Sequence, residues 1–122
     1  LNNLVELVGY KAEPFHYIKK ADILILTSKF EGLPNILIEG QFLKKYIIST
    51  DCPTGPKEIL MNGKAGDLFK VGDFKKLAKL INDYPYKLKS ISKKIKYGSK
   101  NFFRFDNKIN YKKYYDLINR NF

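Results

Sequence analysis

The hydrophobic and polar positions divide the chain into two parts. In the first part, short apolar runs alternate with short amphipathic segments; in the second, longer amphipathic segments follow one another. The apolar runs predict strands at Leu4–Val8, Asp22–Leu26, Tyr46–Ser49 and Asp67–Phe69. The amphipathic segments between them predict helices at Glu13–Lys20, Asn35–Leu43 and Lys57–Met61. Strands that alternate with short helices indicate an α/β fold with a parallel sheet, half of a doubly wound domain.

The same pattern predicts some of the core. Leu24–Leu26 is apolar without alternation, which is typical of a strand buried on both faces of a parallel sheet. In the first helix we expect Phe15, Tyr17 and Ile18 to face inward, with Pro14 in the first turn. Residues 1–72 are therefore predicted to form an α/β core within a single domain spanning residues 1–122.

Three helices are predicted in the tail, residues 73–122. Asp73 suits the N-cap of the first, in which Phe74, Leu77, Ala78 and Ile81 share one face. The second carries Leu88, Ile91 and Ile95 among many lysines. The third follows Asp106 as a cap and carries Tyr111, Tyr114, Tyr115 and Ile118. We expect this helical tail to pack back on the sheet or onto a domain outside this sequence.

Length and cysteine content limit the classes of protein. The 122 residues suffice for one domain with a core, and no apolar run is long enough to cross a membrane. The first residues lack the basic-then-apolar pattern of a signal peptide, and we interpret the abrupt start at Leu1 as part of a longer protein. The single cysteine, Cys52, cannot form an internal disulfide, so a reducing, cytoplasmic setting is expected.

The formal net charge is +11, and it comes almost entirely from lysine because the only arginines are Arg104 and Arg120. We interpret this charge as a solvated lysine surface, since nucleic-acid readers rely on arginine for bidentate contacts. The alternative is attraction to anionic membrane lipids or to an anionic substrate. A basic module that binds RNA or a membrane surface through residues 87–100, without catalysis, therefore stays open as a second hypothesis.

The stretch from Lys29 to Glu39 carries the candidate chemistry. Glu31 is predicted in the loop at the carboxyl end of a strand, and Glu39 about two turns into the following helix. Gly32 lets the backbone approach a ligand closely, and Pro34 suits the first turn of the helix. The free amides of that turn, together with the helix dipole, attract a phosphate or an oxygen-rich ligand. In open α/β sheets, ligands bind at this edge.

Six pieces of the sequence stand in the order of a known family. One of them is the pair Glu31 and Glu39, in which the first glutamate opens the sequence Glu31-Gly32-Leu33-Pro34-Asn35. The other five are Val5–Gly9, Ala21–Ser28, Tyr46–Thr50, Gly55–Leu60 and Asn62–Gly66. Together they resemble the C-terminal, donor-binding domain of glycosyltransferase family 4, the group 1 glycosyltransferases with the GT-B fold. The resemblance runs from about Val5 to Asp73, more than half of the chain, and it implies a Rossmann-like sheet.

The resemblance implies roles for particular residues. Glu39 would hold the ribose of the nucleotide, and Glu31, the catalytic candidate, would face the donor sugar and stabilise positive charge at its anomeric carbon. Donor phosphate or sugar would lie against the loop that follows Ser28. The donor-binding set implied there is Ser28, Gly32, Leu33, Pro34, Asn35 and Glu39, of which Pro34 has no N–H to donate. Gly9, Tyr10 and Lys11 would lie near the nucleobase, with Tyr10 covering it.

Ordinary structural roles remain open for the same residues. Glu39 can be a helix glutamate that balances Lys44 or Lys45, and Glu31 a carboxylate that favours the helix dipole. Tyr10 can equally be an exposed surface tyrosine. In the family, the loop that corresponds to Thr50–Gly55 lines the edge of the donor site, so Asp51 can contact the sugar or form a turn, and we favour the turn. We expect Lys57 and Glu58 to pair on a helix surface.

Several reactive groups are not assigned to the chemistry. Cys52 has no nearby histidine partner, so a thiol nucleophile is not expected, and His16, the only histidine, is interpreted as a surface residue. There is no cluster of metal-ligand residues, and the family generally needs no bound metal. The absence of a Gly-x-Gly-x-x-Gly turn argues against dinucleotide binding.

The resemblance implies the donor-binding half of a retaining glycosyltransferase of the hexosyltransferase type. A hexose or N-acetylhexosamine would move from a nucleotide-sugar, with UDP expected, to a glycan or lipid-linked acceptor in surface polysaccharide or glycoconjugate synthesis. The family's basic pair for the diphosphate and its acceptor-binding domain are missing from this sequence, so we expect the fragment alone to be inactive. We expect a cytoplasmic location, with peripheral contact at an anionic inner membrane face. A third hypothesis is a non-catalytic regulatory domain in which both glutamates are dispensable.

Overall fold

The structure is a computed structural model that describes residues 4–120, without the side chains of Tyr114 and of residues 117–120. The predicted tail positions Tyr114 and Ile118 therefore lie outside the described side chains. The helices are α1 (Phe15–Lys20), α2 (Asn35–Phe42), α3 (Pro56–Ile59), α4 (Phe74–Asp83), α5 (Leu88–Lys100) and α6 (Asn107–Arg120). The strands are β1 (Ile23–Leu26), β2 (Tyr46–Thr50) and β3 (Asp67–Phe69). Short 3₁₀ turns at Tyr84–Tyr86 and Phe102–Phe105 separate the last three helices.

The three strands form one parallel sheet in the order β1-β2-β3. Ile23 pairs with Tyr46 at the start of the first pair, and Ile48 pairs with Asp67 at the start of the second. All residues of the central strand β2 are buried. Because every strand runs in the same direction, the loops that leave β1 and β2 lie next to each other at one edge of the sheet.

The sheet separates two hydrophobic clusters. The buried residues of the first, which packs α2 and α3 on one face, are Leu37, Ile47, Ile59 and Leu60. The buried residues of the second, on the other face, are Tyr46, Ile48, Phe69 and Ile91. Successive side chains of a strand point to opposite faces, which is why Ile47 belongs to one cluster and Ile48 to the other. The sheet is thus covered by helices from both sides.

The tail helices α4 and α5 cover the second face. Ile91 is buried there, and Leu77, Leu80 and Ile95 pack against the same cluster. The prediction that the tail packs back on the sheet is confirmed for these two helices. The face predicted for α4 is only partly right, because Phe74 is 73% exposed. The helix is turned so that Leu77 and Leu80 face the sheet, whereas the other predicted positions, Phe74, Ala78 and Ile81, are exposed.

Two predicted caps are present. The Asp73 carboxylate accepts a hydrogen bond of 2.9 Å from the Lys76 amide at the start of α4. The Asp106 carboxylate accepts hydrogen bonds from the Lys108 and Ile109 amides at the start of α6. Each bond satisfies a donor that has no partner within the first turn of its helix.

The predicted strand Leu4–Val8 does not form. Residues 5–13 contain no strand or helix, and Leu7 is 94% exposed. A strand requires a neighbour that takes up its backbone hydrogen bonds, and within residues 4–120 the outer edge of β1 pairs with no other segment. The expectation that β1 is buried on both faces is also wrong: Leu24 and Leu26 pack under α2, but Ile25 on the opposite face is 37% exposed.

A polar network ties the second face together. The Tyr46 hydroxyl donates a hydrogen bond of 2.7 Å to the Asp67 carboxylate. The Lys94 ammonium of α5 donates to the other oxygen of Asp67 at 3.0 Å and to the carbonyls of Gly63 and Gly66. Burial raises the pKa of the Tyr46 phenol above its ordinary value, and the hydrogen bond to Asp67 raises this pKa further.

This raised pKa makes stability fall in alkali. The folded state keeps the Tyr46 proton, so the stabilisation is complete below the unfolded pKa, near 10, and is lost as pH rises towards the folded pKa. Between pH 9 and pH 11, the free energy of unfolding should fall about 1.4 kcal/mol more in the wild type than in Tyr46→Phe. Urea unfolding followed through the β2 amide signals measures this difference. Tyr86→Phe, at an exposed tyrosine, is the matched control, and equal alkaline slopes in all three proteins would contradict the prediction.

Candidate functional site

The loops that follow β1 and β2 meet at the carboxyl edge of the sheet. We call residues 27–34, which carry Glu31, the acidic loop, and residues 51–55 the support loop. The Thr50 hydroxyl at the end of β2 donates a hydrogen bond of 2.7 Å to the Ser28 carbonyl. The Thr54 hydroxyl of the support loop donates to the Glu31 carbonyl. The acidic loop is therefore hydrogen-bonded to the neighbouring strand near its start and to the support loop at its middle.

The two loops also touch through their backbones. Gly55 has φ +84°, and a Cβ placed on it would lie 2.1 Å from the Gly32 carbonyl oxygen and 2.5 Å from Pro34 Cδ. Only a residue without a side chain fits this approach. Pro34 is buried by the contact and takes the N-cap position of α2 in an extended conformation, one position before the first turn where it was predicted. The support loop thus packs against the acidic loop directly before α2 begins.

The start of α2 presents free N–H groups. Within residues 4–120, no acceptor takes up the amides of Gly32, Leu33, Asn35 or Ile36, and no side chain caps the helix. Gly32, Leu33 and Asn35 are exposed. Unsatisfied donors at the positive end of the helix dipole attract a phosphate or another anion. The sequence-based expectation about this turn agrees with the geometry.

The two glutamates flank these amides. Glu39 is the fifth residue of α2, just over one turn from its start instead of the two turns predicted, so it lies on the same side of the helix as Asn35. Glu31 and Glu39 are both half-buried, and neither carboxylate forms a hydrogen bond or ion pair with any described residue. In particular, Lys45 donates to the Lys19 carbonyl instead of pairing with Glu39. Both carboxylates are thus available to a ligand.

Gly40, next to Glu39, lies where α2 packs most closely on the sheet. A Cβ on Gly40 would lie 2.5 Å from Leu24 Cδ2 and 3.1 Å from Ile47 Cδ1. The missing side chain lets α2 pack closely on β1 and β2, and Leu37 of the same helix is fully buried. Close packing of this kind holds the α2 backbone that carries Glu39 against the sheet.

Gly9, Tyr10 and Lys11 are not joined to this site. All three are exposed, Tyr10 to 92%. Lys11 lies 5.8 Å from the ring of Tyr17 on α1, and across the described part of the chain no hydrogen bond, ion pair or ring contact links residues 9–11 to residues 28–39. The preceding segment forms no strand, so nothing carries these residues to the sheet edge. Their role in binding a nucleobase stays a prediction.

The other groups considered from the sequence have ordinary surroundings. Lys57 pairs at 3.6 Å with Asp51 of the support loop, and not with Glu58 as predicted. Cys52 is buried as a free thiol, and His16 is exposed and stacks on Tyr17. In the described residues, no group of three or more histidine, cysteine, aspartate or glutamate side chains is arranged to hold a metal ion. None of the described helices is both long and apolar enough to span a bilayer.

The resemblance places the loop from Thr50 to Gly55 along the donor site, but sequence reasoning assigned no contact with the acidic loop to Thr50, Thr54 or Gly55. The two hydrogen bonds that they form with the acidic loop join residues far apart in the sequence. Thr50 is 22 positions from Ser28, and Thr54 is 23 positions from Glu31. The one signal available was that the support loop, like the acidic loop, follows a predicted strand. Parallel neighbours at one sheet edge make contact between such loops expected, but the pairing of individual atoms depends on the tertiary structure.

The sequence of this chain is similar to those of a known family of proteins. A family profile described as "Glycosyl transferases group 1" matches residues 1–84. An uncharacterized glycosyltransferase of Methanocaldococcus jannaschii is 47% identical over 60 residues, which cover 49% of this chain and 15% of that protein. The capsular polysaccharide biosynthesis glycosyltransferase CapM of Staphylococcus aureus is 33% identical over 86 residues, which cover 67% of this chain and 22% of that protein. The chain thus spans less than a quarter of the length of these relatives.

Solved structures share the fold. HepE of Anabaena, crystallised in complex with UDP, superposes with a TM-score of 0.83 at 16% sequence identity, covering 99% of this chain and 33% of that chain. TarM superposes with a TM-score of 0.81 at 21% identity, covering 98% of this chain and 24% of that chain. These likenesses confirm the predicted α/β architecture of a GT-B glycosyltransferase, with a Rossmann-like parallel sheet, flanking helices and a helical tail. Because the family profile covers well over half of the residues, the chain belongs to the group 1 glycosyltransferases.

Proposed function

We propose that this chain forms the nucleotide-sugar site of a retaining glycosyltransferase that uses a UDP-sugar. One observation carries the proposal: the amides at the start of α2 are free, and Glu31 and Glu39, which precede and follow them in the chain, have carboxylates without a polar partner among the described residues. A nucleotide-sugar has a matching order of groups, with a ribose diol, a diphosphate and a sugar. Hydrogen-bond donors suit the diphosphate, and carboxylate acceptors suit the hydroxyls on either side of it.

Each residue has a defined part in this proposal. The amides of Gly32, Leu33 and Asn35 bind phosphate oxygens or sugar hydroxyls. Glu39 accepts hydrogen bonds from the ribose hydroxyls, which fixes the nucleotide. Glu31 lies by the anomeric carbon, where positive charge builds as the bond to the diphosphate oxygen breaks and its electron pair leaves with the nucleotide. The acceptor hydroxyl then bonds to the anomeric carbon on the face that the nucleotide left, and its proton is released.

The names of related proteins indicate the class of acceptor and of sugar. One relative, from Campylobacter jejuni, is named for transferring N-acetylgalactosamine to a diphospho-undecaprenol-linked acceptor, and CapM is named for capsular polysaccharide biosynthesis. These names support transfer of a hexose or N-acetylhexosamine to a glycan or lipid-linked acceptor. UDP as the nucleotide is supported by the UDP complex of HepE.

A titration of the full-length protein with UDP tests the proposal. Amide NMR signals of residues 32–39 should shift on addition of UDP. Glu39→Gln should weaken UDP binding about 10- to 100-fold, because it removes charge-assisted hydrogen bonds to the ribose. Asp22→Asn is the matched control: Asp22 is exposed and precedes β1 at the opposite edge of the sheet, and its replacement should leave the affinity unchanged.

The alternatives make different predictions in the same titration. If Glu39 is only a surface glutamate, Glu39→Gln binds UDP as tightly as the wild type. If the chain is a basic module for RNA or membranes, no amide of residues 32–39 responds to UDP in the full-length protein. Either result would sink the assignment of this site to the donor.

A further inference from the structure

We propose that Thr54 is a positioning residue, which holds the Glu31 main chain so that the Glu31 carboxylate and the Gly32 amide meet the donor together. This inference rests on the proposed function of the site. The Glu31 carboxylate forms no hydrogen bond or ion pair with a described residue, so no polar contact of the side chain itself positions it. The hydrogen bond from the Thr54 hydroxyl to the Glu31 carbonyl is the contact that fixes this backbone.

The surroundings of Thr54 give the contact a fixed base. Thr50, four residues earlier, is buried and donates to the Ser28 carbonyl, while Gly55 lies directly against Gly32. The support loop is itself bonded to the sheet, because the Asp51 amide donates a hydrogen bond of 2.7 Å to the Phe69 carbonyl of β3. The acidic loop therefore contacts strand β2 before Glu31, and the support loop at Glu31 and after it. Of these contacts, only the one at Glu31 is made by an exposed side chain that can be replaced without disturbing the core.

The geometry explains why a small movement matters. The Glu31 carbonyl and the Gly32 amide belong to one peptide unit, so a hydrogen bond to this carbonyl sets the direction in which the Gly32 N–H points. The amide is free to meet the donor, and the Glu31 carboxylate branches from the Cα next to it. A rotation of this peptide would move the amide and the carboxylate at once. Displacements of about 1 Å at a reacting centre can cost on the order of 100-fold in rate.

Release of UDP from UDP-glucose, UDP-galactose and UDP-N-acetylglucosamine by the full-length enzyme measures the effect without a known acceptor. Thr54→Val removes the hydroxyl at nearly constant volume and should lower kcat about 10- to 100-fold. Thr54→Ser keeps the hydroxyl and should restore kcat to within about 3-fold of the wild type. The carbonyl 13C signal of Glu31 should shift in Thr54→Val and return in Thr54→Ser, which reports the hydrogen bond directly.

A double-mutant cycle separates positioning from general damage. If Thr54 acts through the Glu31 peptide, Thr54→Val should lower kcat clearly less in the Glu31→Gln background than in the wild type, because the loss due to a displaced carboxylate has already occurred and only the loss due to the Gly32 amide remains. An equal loss in both backgrounds, or an unchanged kcat in Thr54→Val alone, would overturn the inference while UDP binding and turnover by the wild type still support the proposed function. A wild-type enzyme that neither binds UDP nor releases it from any of the three donors would overturn both.

Discussion

Replacing Glu31 with glutamine in the full-length enzyme is expected to lower kcat for UDP release about 100- to 1,000-fold. The carboxylate is half-buried at the start of α2 and has no cation beside it in the described structure, so its charge is not neutralised before the donor binds. Charge that develops at the anomeric carbon would meet a fixed anion. Removing one preorganised electrostatic group of this kind typically costs about 100- to 1,000-fold in kcat.

The affinity for UDP separates this role from nucleotide binding. Because Glu31 is assigned to the sugar and Glu39 to the ribose, Glu31→Gln should change UDP affinity by less than about 3-fold, whereas Glu39→Gln should weaken it. Asp22→Asn is again the matched control for the loss of one carboxylate. If Glu31 serves only the helix dipole, Glu31→Gln will cost about 0.3–1 kcal/mol of stability and leave kcat unchanged. That outcome would remove Glu31 from the chemistry.

Replacing Gly55 with alanine is expected to destabilise the domain by about 2–5 kcal/mol. Two costs add up: about 1–2 kcal/mol for a side chain at positive φ and about 1–3 kcal/mol for overpacking against the Gly32 carbonyl and Pro34. Hydrogen exchange of the Ile47 and Ile48 amides in the full-length protein measures the change, since these residues lie in the fully buried strand β2.

Gly72 offers a matched control for this prediction. Its φ is +83°, close to the +84° of Gly55, but a Cβ at Gly72 would meet no atom within 4 Å. Gly72→Ala should therefore cost only the backbone term, about 1–2 kcal/mol. If both alanine variants lose the same stability, the close packing of the two loops contributes nothing, and the account of how the acidic loop is supported is wrong. Gly55→Ala should also weaken UDP binding, because it displaces the loop that carries the free amides.

Local patterns predicted much of the secondary structure. Helix α2 begins at Asn35 as expected, since Pro34 cannot continue a helix backwards and apolar residues follow it. The caps at Asp73 and Asp106 depend on side chains bonding to amides two or three residues away, so no tertiary information is needed to find them. The same locality explains why the candidate site could be recognised: Glu31, Gly32 and Pro34 of the acidic loop and Glu39 of α2 lie within a stretch of nine residues.

Predictions failed where the outcome depended on a distant partner. Leu4–Val8 has the composition of a strand, yet strand structure exists only when another strand takes up the hydrogen bonds, and the described residues supply none. The face of α4 was misjudged for a related reason. Apolar residues occur on more than one side of α4, so its own periodicity does not decide which side is buried. The packing of α4 against Phe69 and Ile91 buries part of Leu80 and leaves Phe74 exposed to solvent.

The sequence by itself determined the order of the strands and helices from α1 onward, the α/β class and the pair of glutamates around a helix start, because these follow from short-range spacing. The resemblance of six pieces in order indicated the family. Only the tertiary structure decided that Thr50 and Thr54 bond to the acidic loop, that Gly55 supports it, and that neither Lys44 nor Lys45 pairs with Glu39. The contacts of Thr50, Thr54 and Gly55 join residues more than twenty positions apart in the sequence. The unpaired state of Glu39 depends on which of several nearby partners each lysine takes. The geometry of the loop contacts follows from parallel strands placing two loops side by side, which no local pattern encodes.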